Sequence, residues 1–343
     1  AGSVFVGGNF NGTIDFGGGP LTSAGGYDIF VAKLDANGNH VWSKAFGDPT
    51  YQSLGGLALV GADVVLIGEK SGSVDFGGGA LTGRNYLVKL AGSNGAHVWS
   101  KQSTSGGGFV PRSLAADATG KLVGAGSLGS TLDWGGGVLT SAGQDDVLVI
   151  KFDATGNTLW SKRFGDAQPQ DAWAVAIDAS GNVVLTGRVQ GALDFGVGVV
   201  NPSQATIYAA KLDPNGAGVW SKAFPAISGA LPFSNALGMD AFGNIAIGGS
   251  TDEAMDLGGG PLPCTSGTTN IFIGKLDGSG KHLWSKGWAA GAGGIDGSMD
   301  VAFDASGNML FAGSLHQSTI DMGGGPLASI GGGGFLALAK FAP

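Results

Sequence analysis

Four short sequence elements recur in one fixed order along the chain, and this repetition constrains the fold more than any other feature. They are Asp-Phe-Gly or a close variant, the triplet Trp-Ser-Lys, a lysine inside an apolar run, and a short β-type run that ends in glycine. Successive copies of the first element lie 58 to 65 residues apart. Self-similarity at a steady period is typical of repeat architectures, so the sequence predicts one domain of similar units.

The repeated positions divide the single predicted domain, residues 1–343, into units of approximately 1–53, 54–111, 112–171, 172–233, 234–297 and 298–343. The aspartates of the first element are Asp15, Asp75, Asp133, Asp194, Asp256 and Asp321. The lysines of the apolar runs are Lys33, Lys89, Lys151, Lys211, Lys275 and Lys340. The tryptophans of the triplets are Trp42, Trp99, Trp160, Trp220 and Trp284. We interpret all of these as structural repeat positions.

Each unit is predicted to hold four strands, A to D, which in the unit around residue 180 cover 174–178, 183–187, 207–213 and 219–222. Most links between A and B, and between C and D, contain Asp-x-x-Gly. This pattern is typical of a type I turn closed by a left-handed glycine, because the aspartate accepts backbone N–H bonds and glycine tolerates positive φ. The sheets are therefore predicted to be antiparallel. The eight turn aspartates are Asp35, Asp117, Asp153, Asp178, Asp213, Asp240, Asp277 and Asp304.

Strand C indicates how the sheets are covered. Residues 29–34 and 147–152 are apolar on both alternating faces, whereas a sheet that is wet on one side would alternate between apolar and polar residues. Sheets buried on both faces and repeated in sequence favour a β-propeller, in which four-stranded blades stack around an axis. The predicted fold is all-β, a β-propeller of six repeats with four antiparallel strands per blade.

The terminal blades are predicted to be incomplete in this chain, because strands B and C occur six times but strands A and D only five times. The first blade has no strand A and the last has no strand D. An open sheet edge is normally covered or paired. Either a longer natural chain completes these blades, or a partner covers the open edges.

The repeat unit resembles a known family. The run from Gly26 to Ser43, with Asp-Ile-Phe-Val-Ala-Lys-Leu-Asp before Trp-Ser, and the run from Asp178 to Gly187 are similar to the bacterial β-propeller repeats called SBBP. The resemblance covers nearly the whole chain and implies an exported or surface-anchored protein. Two features depart from the family: the inserted segment at residues 15–23, and six units where the family name implies seven.

Composition excludes several functional classes. The net charge is −8 and the chain has no basic cluster, which argues against nucleic-acid binding. No apolar stretch approaches the roughly 18 residues of a membrane span. Cys264 is the only cysteine, so no intrachain disulfide forms, and in its loop it replaces the threonine seen at Thr22. The chain begins at Ala1 like a processed protein, which leaves export open.

The repeated polar residues are interpreted as structural. Each Asp-x-x-Gly turn carries one carboxylate, whereas a calcium loop needs several, so no metal site and no cofactor are predicted. The Asp15-type carboxylates and Lys33-type ammonium groups occur six times each. We expect either that they pair within each blade, or that each aspartate caps the adjacent glycine turn. No catalytic residue is predicted.

Aromatic residues and histidines provide the remaining candidates. The Trp42-type side chains are expected to pack between adjacent blades. The histidines two residues before a repeated tryptophan, His40, His97 and His282, are expected at blade edges rather than in a metal site. Four residues outside the repeated positions are candidates for ligand binding, namely Trp134, Trp173, Trp288 and His316.

These observations predict a non-catalytic β-propeller, exported or on the bacterial cell surface, that serves as a structural or protein-interaction module and assembles through open edge strands. The expected partners are another protein or further copies of the chain. The alternative is a lectin-like propeller that binds glycans or other small ligands through the loops between strands B and C on one rim. Neither prediction involves an enzyme, a nucleic acid or a membrane span.

Overall fold

The structure is a computed structural model that describes residues 2–224, 232–265, 268–288, 299–316, 319–328 and 334–342. Every regular element in these ranges is a β-strand, and the paired strands run antiparallel. The prediction of an all-β chain of antiparallel sheets is therefore confirmed. The chain separates into two compact units, Ala1–Ser141 with Val147–Arg163, and Ala142–Asp146 with Phe164–Pro343.

The first half of the chain forms three large sheets. Its strands are β1 (Val4–Phe10), β2 (Thr13–Asp15), β3 (Pro20–Thr22), β4 (Asp28–Leu34), β5 (His40–Phe46), β6 (Gln52–Val60), β7 (Asp63–Lys70), β8 (Val74–Asp75), β9 (Ala80–Leu81), β10 (Asn85–Leu90), β11 (His97–Gln102), β12 (Ser105–Gly106), β13 (Phe109–Ala116), β14 (Leu122–Leu128), β15 (Thr131–Asp133), β16 (Leu139–Thr140), β17 (Asp146–Phe152) and β18 (Thr158–Phe164). Sheet 1 has the order β1-β4-β5, sheet 2 the order β6-β7-β10-β11, and sheet 3 the order β13-β14-β17-β18.

The second half forms three more large sheets. Its strands are β19 (Gln170–Ile177), β20 (Val183–Val189), β21 (Leu193–Asp194), β22 (Val199–Val200), β23 (Thr206–Leu212), β24 (Gly218–Phe224), β25 (Phe233–Met239), β26 (Ile245–Thr251), β27 (Asn270–Leu276), β28 (His282–Trp288), β29 (Met299–Phe303), β30 (Met309–His316), β31 (Thr319–Asp321), β32 (Pro326–Ala328) and β33 (Gly334–Phe341). Sheet 4 has the order β19-β20-β23-β24, sheet 5 the order β25-β26-β27-β28, and sheet 6 the order β29-β30-β33.

The Asp-x-x-Gly segments form the predicted turns. Between β4 and β5, the backbone N–H of Asp35 donates to the carbonyl of Asn39 at 2.8 Å, and Asp35 Oδ1 accepts the N–H groups of Asn37 and Asn39. Gly38 has φ of 84°, a value that glycine adopts without the steric cost of a Cβ atom. The other seven turns repeat these backbone bonds. Local turn chemistry therefore fixes the hairpins.

The segments between predicted strands B and C of each unit were expected to be loops, but most contain short hairpins of their own. These are β2-β3, β8-β9, β21-β22 and β31-β32, while β15-β16 gains β12 as a third strand. A glycine turn closes each hairpin. In the first, Gly17 and Gly19 have φ of 95° and 103°. The segment at residues 15–23 is thus part of a structured hairpin, β2-β3, and does not form an irregular loop.

The apolar strands are largely buried in five sheets, namely β4, β10, β17, β23 and β27, whereas Leu336 and Leu338 of β33 are 66% and 69% exposed. Ile29 and Val31 of sheet 1 share one core cluster with Leu66 and Val88 of sheet 2, and all four are inaccessible to solvent. Similar clusters join sheets 2 and 3, sheets 4 and 5, and sheets 5 and 6. Within each unit the sheets are therefore stacked in chain order.

A β-bulge or similar register shift interrupts the first strand of four successive sheets, and in β25 it falls between Phe233 and Ala236. The pairing shifts past one residue in β6, β13 and β19, and the residues left out of the ladder are Gly55, Arg112 and Trp173. A bulge redirects a side chain and is often found beside functional sites. These strands form one edge of each four-stranded sheet, so the bulged residues lie on sheet edges.

Candidate functional site

Four of the six repeated lysines form ion pairs, but not with the predicted carboxylates, and Lys33 Nζ donates to the carbonyl of Gly92 at 2.7 Å. Lys89 Nζ lies 3.1 Å from Asp63 Oδ2, and Lys340 Nζ lies 2.7 Å from Asp304 Oδ2. These partners lie at or just before the start of the second strand of the same sheet. Lys211 and Lys275 pair in the same way with Asp178 and Asp240. The proposed pairing with the Asp15-type residues is therefore wrong, because the third strand places the lysine at the opposite end of the sheet from them.

The alternative role of the Asp15-type residues is confirmed. Asp15 Oδ1 accepts the backbone N–H groups of Gly17 at 2.8 Å and Gly19 at 3.1 Å. Asp75, Asp133, Asp194, Asp256 and Asp321 accept the corresponding N–H groups of their own turns. These carboxylates cap glycine turns, which is a structural function.

The repeated tryptophans pack between sheets, as predicted. Trp42 Nε1 donates to the carbonyl of Gly92 at 3.1 Å, so sheet 1 is hydrogen-bonded to a turn of sheet 2. Trp220 Nε1 donates to Gly278 in the same manner between sheets 4 and 5. The indole ring of Trp99 lies against Gly156 of sheet 3, and Trp284 contacts Phe341 of sheet 6. These side chains serve inter-sheet packing.

The three repeated histidines occupy identical environments in separate sheets. His40 Nε2 lies 3.1 Å from Ser43 Oγ, and its ring covers Gly18 so closely that a Cβ atom there would be 2.0 Å from His40 Cε1. His97 and His282 repeat this arrangement over Gly78 and Gly259. The predicted edge position agrees with this geometry, since each histidine belongs to the last strand of its sheet.

Trp134 is not an exposed binding residue. Its side chain is only 5% exposed and packs edge-on against Phe109 and Phe152 within sheet 3. Phe76 and Phe195 occupy the same position in their sheets and are also buried. The aromatic residue of the Asp-x-Gly element therefore points into the core, which explains why the prediction for Trp134 is wrong.

The other sequence candidates differ in what surrounds them. Trp288 is half-buried against Phe341, with ring centroids 5.7 Å apart, so it also serves packing. His316 ends β30, and its side chain lies outside the described residues. Cys264 is partly exposed in the loop where it was expected.

Trp173 is the sequence candidate that the structure places in a composite surface. Its indole stacks on the ring of Phe233, with centroids 5.0 Å apart and planes inclined by 20°. The guanidinium of Arg188 lies 6.0 Å from the indole centroid, within the range of a cation–π contact. Phe233 is 46% exposed, which is unusual for a phenylalanine in a strand. We name Trp173, Phe233, Arg188 and Asp171 the aromatic patch.

The charges of the aromatic patch balance each other. Arg188 Nη2 donates to Asp171 Oδ2 at 2.8 Å, and the Asp171 side chain is almost completely buried. Nearby, burial raises the pKa of Tyr208 well above its ordinary value, and the Asp171 charge adds to this shift. Tyr208 is therefore neutral at physiological pH. The patch presents an apolar aromatic face whose one cation is already neutralised.

Sequence reasoning identified Trp173 but missed Phe233, Arg188 and Asp171. The available signal was the bulge position itself, where sheets 2 and 3 have Gly55 and Arg112. A residue that departs from the repeat at one structural position is a candidate for a specific role. Phe233 begins β25 in the next sheet, and only the packing of sheet 5 on sheet 4 brings it to Trp173.

Two kinds of feature are absent from the described ranges. Within them no three side chains of the histidine, cysteine, aspartate or glutamate type come together as a metal site would require. The described residues likewise include no helix with the length and apolar character to cross a membrane.

Comparison with known proteins gives similarity in structure alone. No protein-family model matches the chain, and no curated protein is similar to it. A hydrazine synthase structure from Kuenenia stuttgartiensis matches 85% of this chain and 72% of its own, with 14% identity and a TM-score of 0.45. BamB from Moraxella catarrhalis matches over 92% and 80%, with 14% identity and a TM-score of 0.36. The gluconolactonase XC5397 from Xanthomonas campestris matches over 88% and 79%, with 13% identity and a TM-score of 0.39.

These matches contradict the prediction of a non-catalytic structural or interaction module with a lectin-like alternative. Two of the matched structures are named as enzymes, a hydrazine synthase and a gluconolactonase. The repeat sequence offers no catalytic motif, but the absence of a motif does not by itself exclude an enzyme. At TM-scores of 0.36 to 0.45 the same matches assign no activity to this chain.

Proposed function

We propose that the six large sheets are the blades of one β-propeller, related to the SBBP repeats and exported to the bacterial surface or beyond it. Two observations support the fold. The large sheets share one strand order, and within each unit they stack in chain order through apolar third strands. Small-angle scattering tests the fold, because one compact body of 343 residues has a radius of gyration of about 20 Å. A markedly larger radius would reject it.

The geometry best supports binding of a protein partner at the aromatic patch, a site-specific role that does not require the chain to be non-catalytic. The observation that carries this proposal is the stacked pair of Trp173 and Phe233, with Phe233 nearly half exposed. Residues that dominate binding energy in protein interfaces are enriched in tryptophan, tyrosine and arginine, and they cluster in patches of this kind. Trp173 is held in place because its side chain packs against the core cluster between sheets 4 and 5.

The patch also indicates what the partner presents. Arg188 and Asp171 neutralise each other, so they offer little net attraction to a charged group. Because Trp173 supports Phe233 from one side, the phenyl ring is held in one orientation and loses little entropy on binding. We therefore expect an apolar or aromatic partner side chain to pack on Phe233.

A display library of random peptides, selected on the folded chain, tests this proposal. Affinities of the selected peptides are then measured for the native chain, Phe233→Ala and Phe242→Ala. Phe242 is the matched control because it is 82% exposed, in the turn between β25 and β26. Loss of a central aromatic contact costs about 2 kcal/mol, so Phe233→Ala is expected to weaken binding roughly thirtyfold while Phe242→Ala has no effect.

Two results would overturn the proposal. One is a selection that yields no peptide dependent on Phe233, and the other is equal weakening by both variants. Thermal unfolding of each variant provides the folding control, since Phe233 is partly exposed and its removal should leave the sheets intact. Trp173→Ala serves as a second variant, because it removes the support of Phe233 without removing the ring itself.

A further inference from the structure

A pocket of 420 Å³ lies in the second unit, between the last strand of sheet 4 and the turns of sheet 5. It is separate from the aromatic patch. Its lining residues are Lys222, Ala223, Phe224, Asp256, Leu257, Gly258, Gly280, Lys281 and His282. Three of these side chains carry or accept a positive charge, and one carries a negative charge. In a chain of net charge −8 this is an unusual concentration of basic groups.

The basic side chains keep hydrogen-bonding capacity for a ligand. Among the described residues, Lys222 Nζ donates one proton to the carbonyl of Gly280 at 2.7 Å, which leaves two of its three protons available to a ligand. His282 uses Nε2 toward Ser285 Oγ at 3.0 Å, which leaves Nδ1. The side chain of Lys281 is exposed at the pocket wall.

The single carboxylate of the pocket is partly engaged. Asp256 Oδ1 accepts the backbone N–H groups of Gly258 at 2.7 Å and Gly260 at 2.9 Å. These bonds offset part of its negative charge inside its own turn. The remaining charge of the pocket wall is positive and comes from Lys222 and Lys281.

The repeat provides an internal comparison for this pocket. Sheets 1 and 2 place Lys44, Asp75 and His97 at the positions of Lys222, Asp256 and His282. At the position of Lys281, however, sheet 2 has Ala96 and sheet 1 has Asn39. Lys281 is therefore specific to sheet 5. The arrangement of lysine, aspartate and histidine that sheet 5 shares with sheets 1 and 2 does not depend on it.

We propose that this pocket binds a small oxyanion, the chemistry shared by a carboxylate and a phosphate group. Two lysines and an imidazole that converge on one cavity suit such a ligand, because charge-assisted hydrogen bonds are the strongest that side chains make. Lys281 supplies the charge that the equivalent site of sheet 2 lacks. The size of the cavity admits a small molecule that carries the anionic group.

Histidine NMR signals of the full chain can test this inference. Inorganic phosphate is titrated at constant ionic strength, with acetate as the carboxylate probe and chloride as the salt control. The signals of His282 are expected to shift with saturation, whereas those of His97 are expected to stay unchanged. In Lys281→Ala, which copies the residue of sheet 2, the phosphate affinity is expected to fall by about tenfold or more.

A gain-of-function variant completes the experiment. Ala96→Lys introduces the missing lysine beside His97, so phosphate is then expected to shift the His97 signals as well. The inference is overturned if His282 and His97 respond equally in the native chain, if neither responds, or if Lys281→Ala leaves the affinity unchanged. Selectivity between phosphate and acetate then identifies which oxyanion the pocket prefers.

Discussion

The ring of His282 fills the space that a side chain at Gly259 would need, since a Cβ atom there would lie 2.3 Å from His282 Cε1. Sheet 4 reverses the sizes at the same two positions. It has Val197 in place of the central glycine and Gly218 in place of the histidine, and a Cβ atom on Gly218 would lie 2.3 Å from the Phe195 carbonyl oxygen and 3.1 Å from Val197 Cγ1. Large and small residues thus exchange places between two sheets of one chain.

This exchange predicts a double-mutant coupling. Gly259→Val places a branched side chain against His282 and is expected to destabilise the fold by about 1–3 kcal/mol. The double variant Gly259→Val with His282→Gly recreates the pair found in sheet 4, so it should recover much of that loss. Chemical denaturation of the two single variants and the double variant measures the coupling. Simple additivity of the two single effects would contradict the size relationship.

The buried ion pair between Lys275 and Asp240 should contribute more to stability than the exposed pair between Lys340 and Asp304. The side chains of Lys275 and Asp240 are 6% and 1% exposed. Lys275→Met leaves a buried carboxylate without its cation and is expected to cost about 3 kcal/mol. Lys340→Met is the matched control and should cost less than about 1 kcal/mol, because solvent already screens that pair. Similar losses in the two denaturation curves would refute this distinction.

Acid should destabilise the protein through its turn carboxylates. Hydrogen bonds from the side chain and backbone of Asn39 lower the pKa of Asp35. Burial alone would raise the pKa of Asp153, but hydrogen bonds from Thr155 and Asn157 lower it to about 2. A carboxyl whose pKa is lower in the folded state stabilises the fold above its unfolded pKa, and loses this effect as pH falls through its folded pKa.

The melting temperature should therefore be nearly constant above pH of about 5 and decrease as pH falls from about 4 to about 2. Thermal unfolding followed by circular dichroism across this range is the measurement. Asp153→Asn removes one of the titrating groups and should show a shallower decrease. A melting temperature that rises on acidification would contradict this account.

Gly47 should tolerate no larger residue. A Cβ atom at this position would lie 2.1 Å from Asp28 Oδ1 and 2.7 Å from Gln52 Oε1, and both of these side chains are buried. Gly47→Ala is therefore expected to destabilise the fold by about 1–3 kcal/mol. Gly324→Ala is the control, since a Cβ atom there has nothing within 4 Å. Equal melting temperatures for the two variants would show that the site around Gly47 relaxes.

The structural roles of residues that act on near neighbours in the chain could be predicted from the sequence. The partners of residues that contact distant parts of the chain could not. Asp35 and Gly38 lie three positions apart, and together they determine a turn whatever surrounds it. Asp15 likewise caps a turn two residues away, and that role was one of two left open. The partner of Lys89 was missed, because the choice between Asp63 and Asp75 depends on which end of the sheet the lysine reaches.

In the candidate site, too, local features could be predicted from the sequence and long-range contacts could not. Trp173 stood out because it lies outside the repeated tryptophan positions, but so did Trp134, which is buried. The two differ in what neighbours them in space: Phe109 and Phe152 enclose Trp134, whereas Trp173 meets the partly exposed Phe233. No spacing in the sequence encodes this difference, since it arises where one sheet stacks on the next.

The bulge that carries Trp173 has a consequence for how such a chain can diverge. A residue outside the hydrogen-bond ladder can change without shifting the register of the strands on either side of it. Ala172 and Ala174 keep their partners Gly187 and Thr186, while the residue between them is free to be arginine in one sheet and tryptophan in another. Duplicated units can thus acquire different surface chemistry one at a time, while the sheets themselves stay the same.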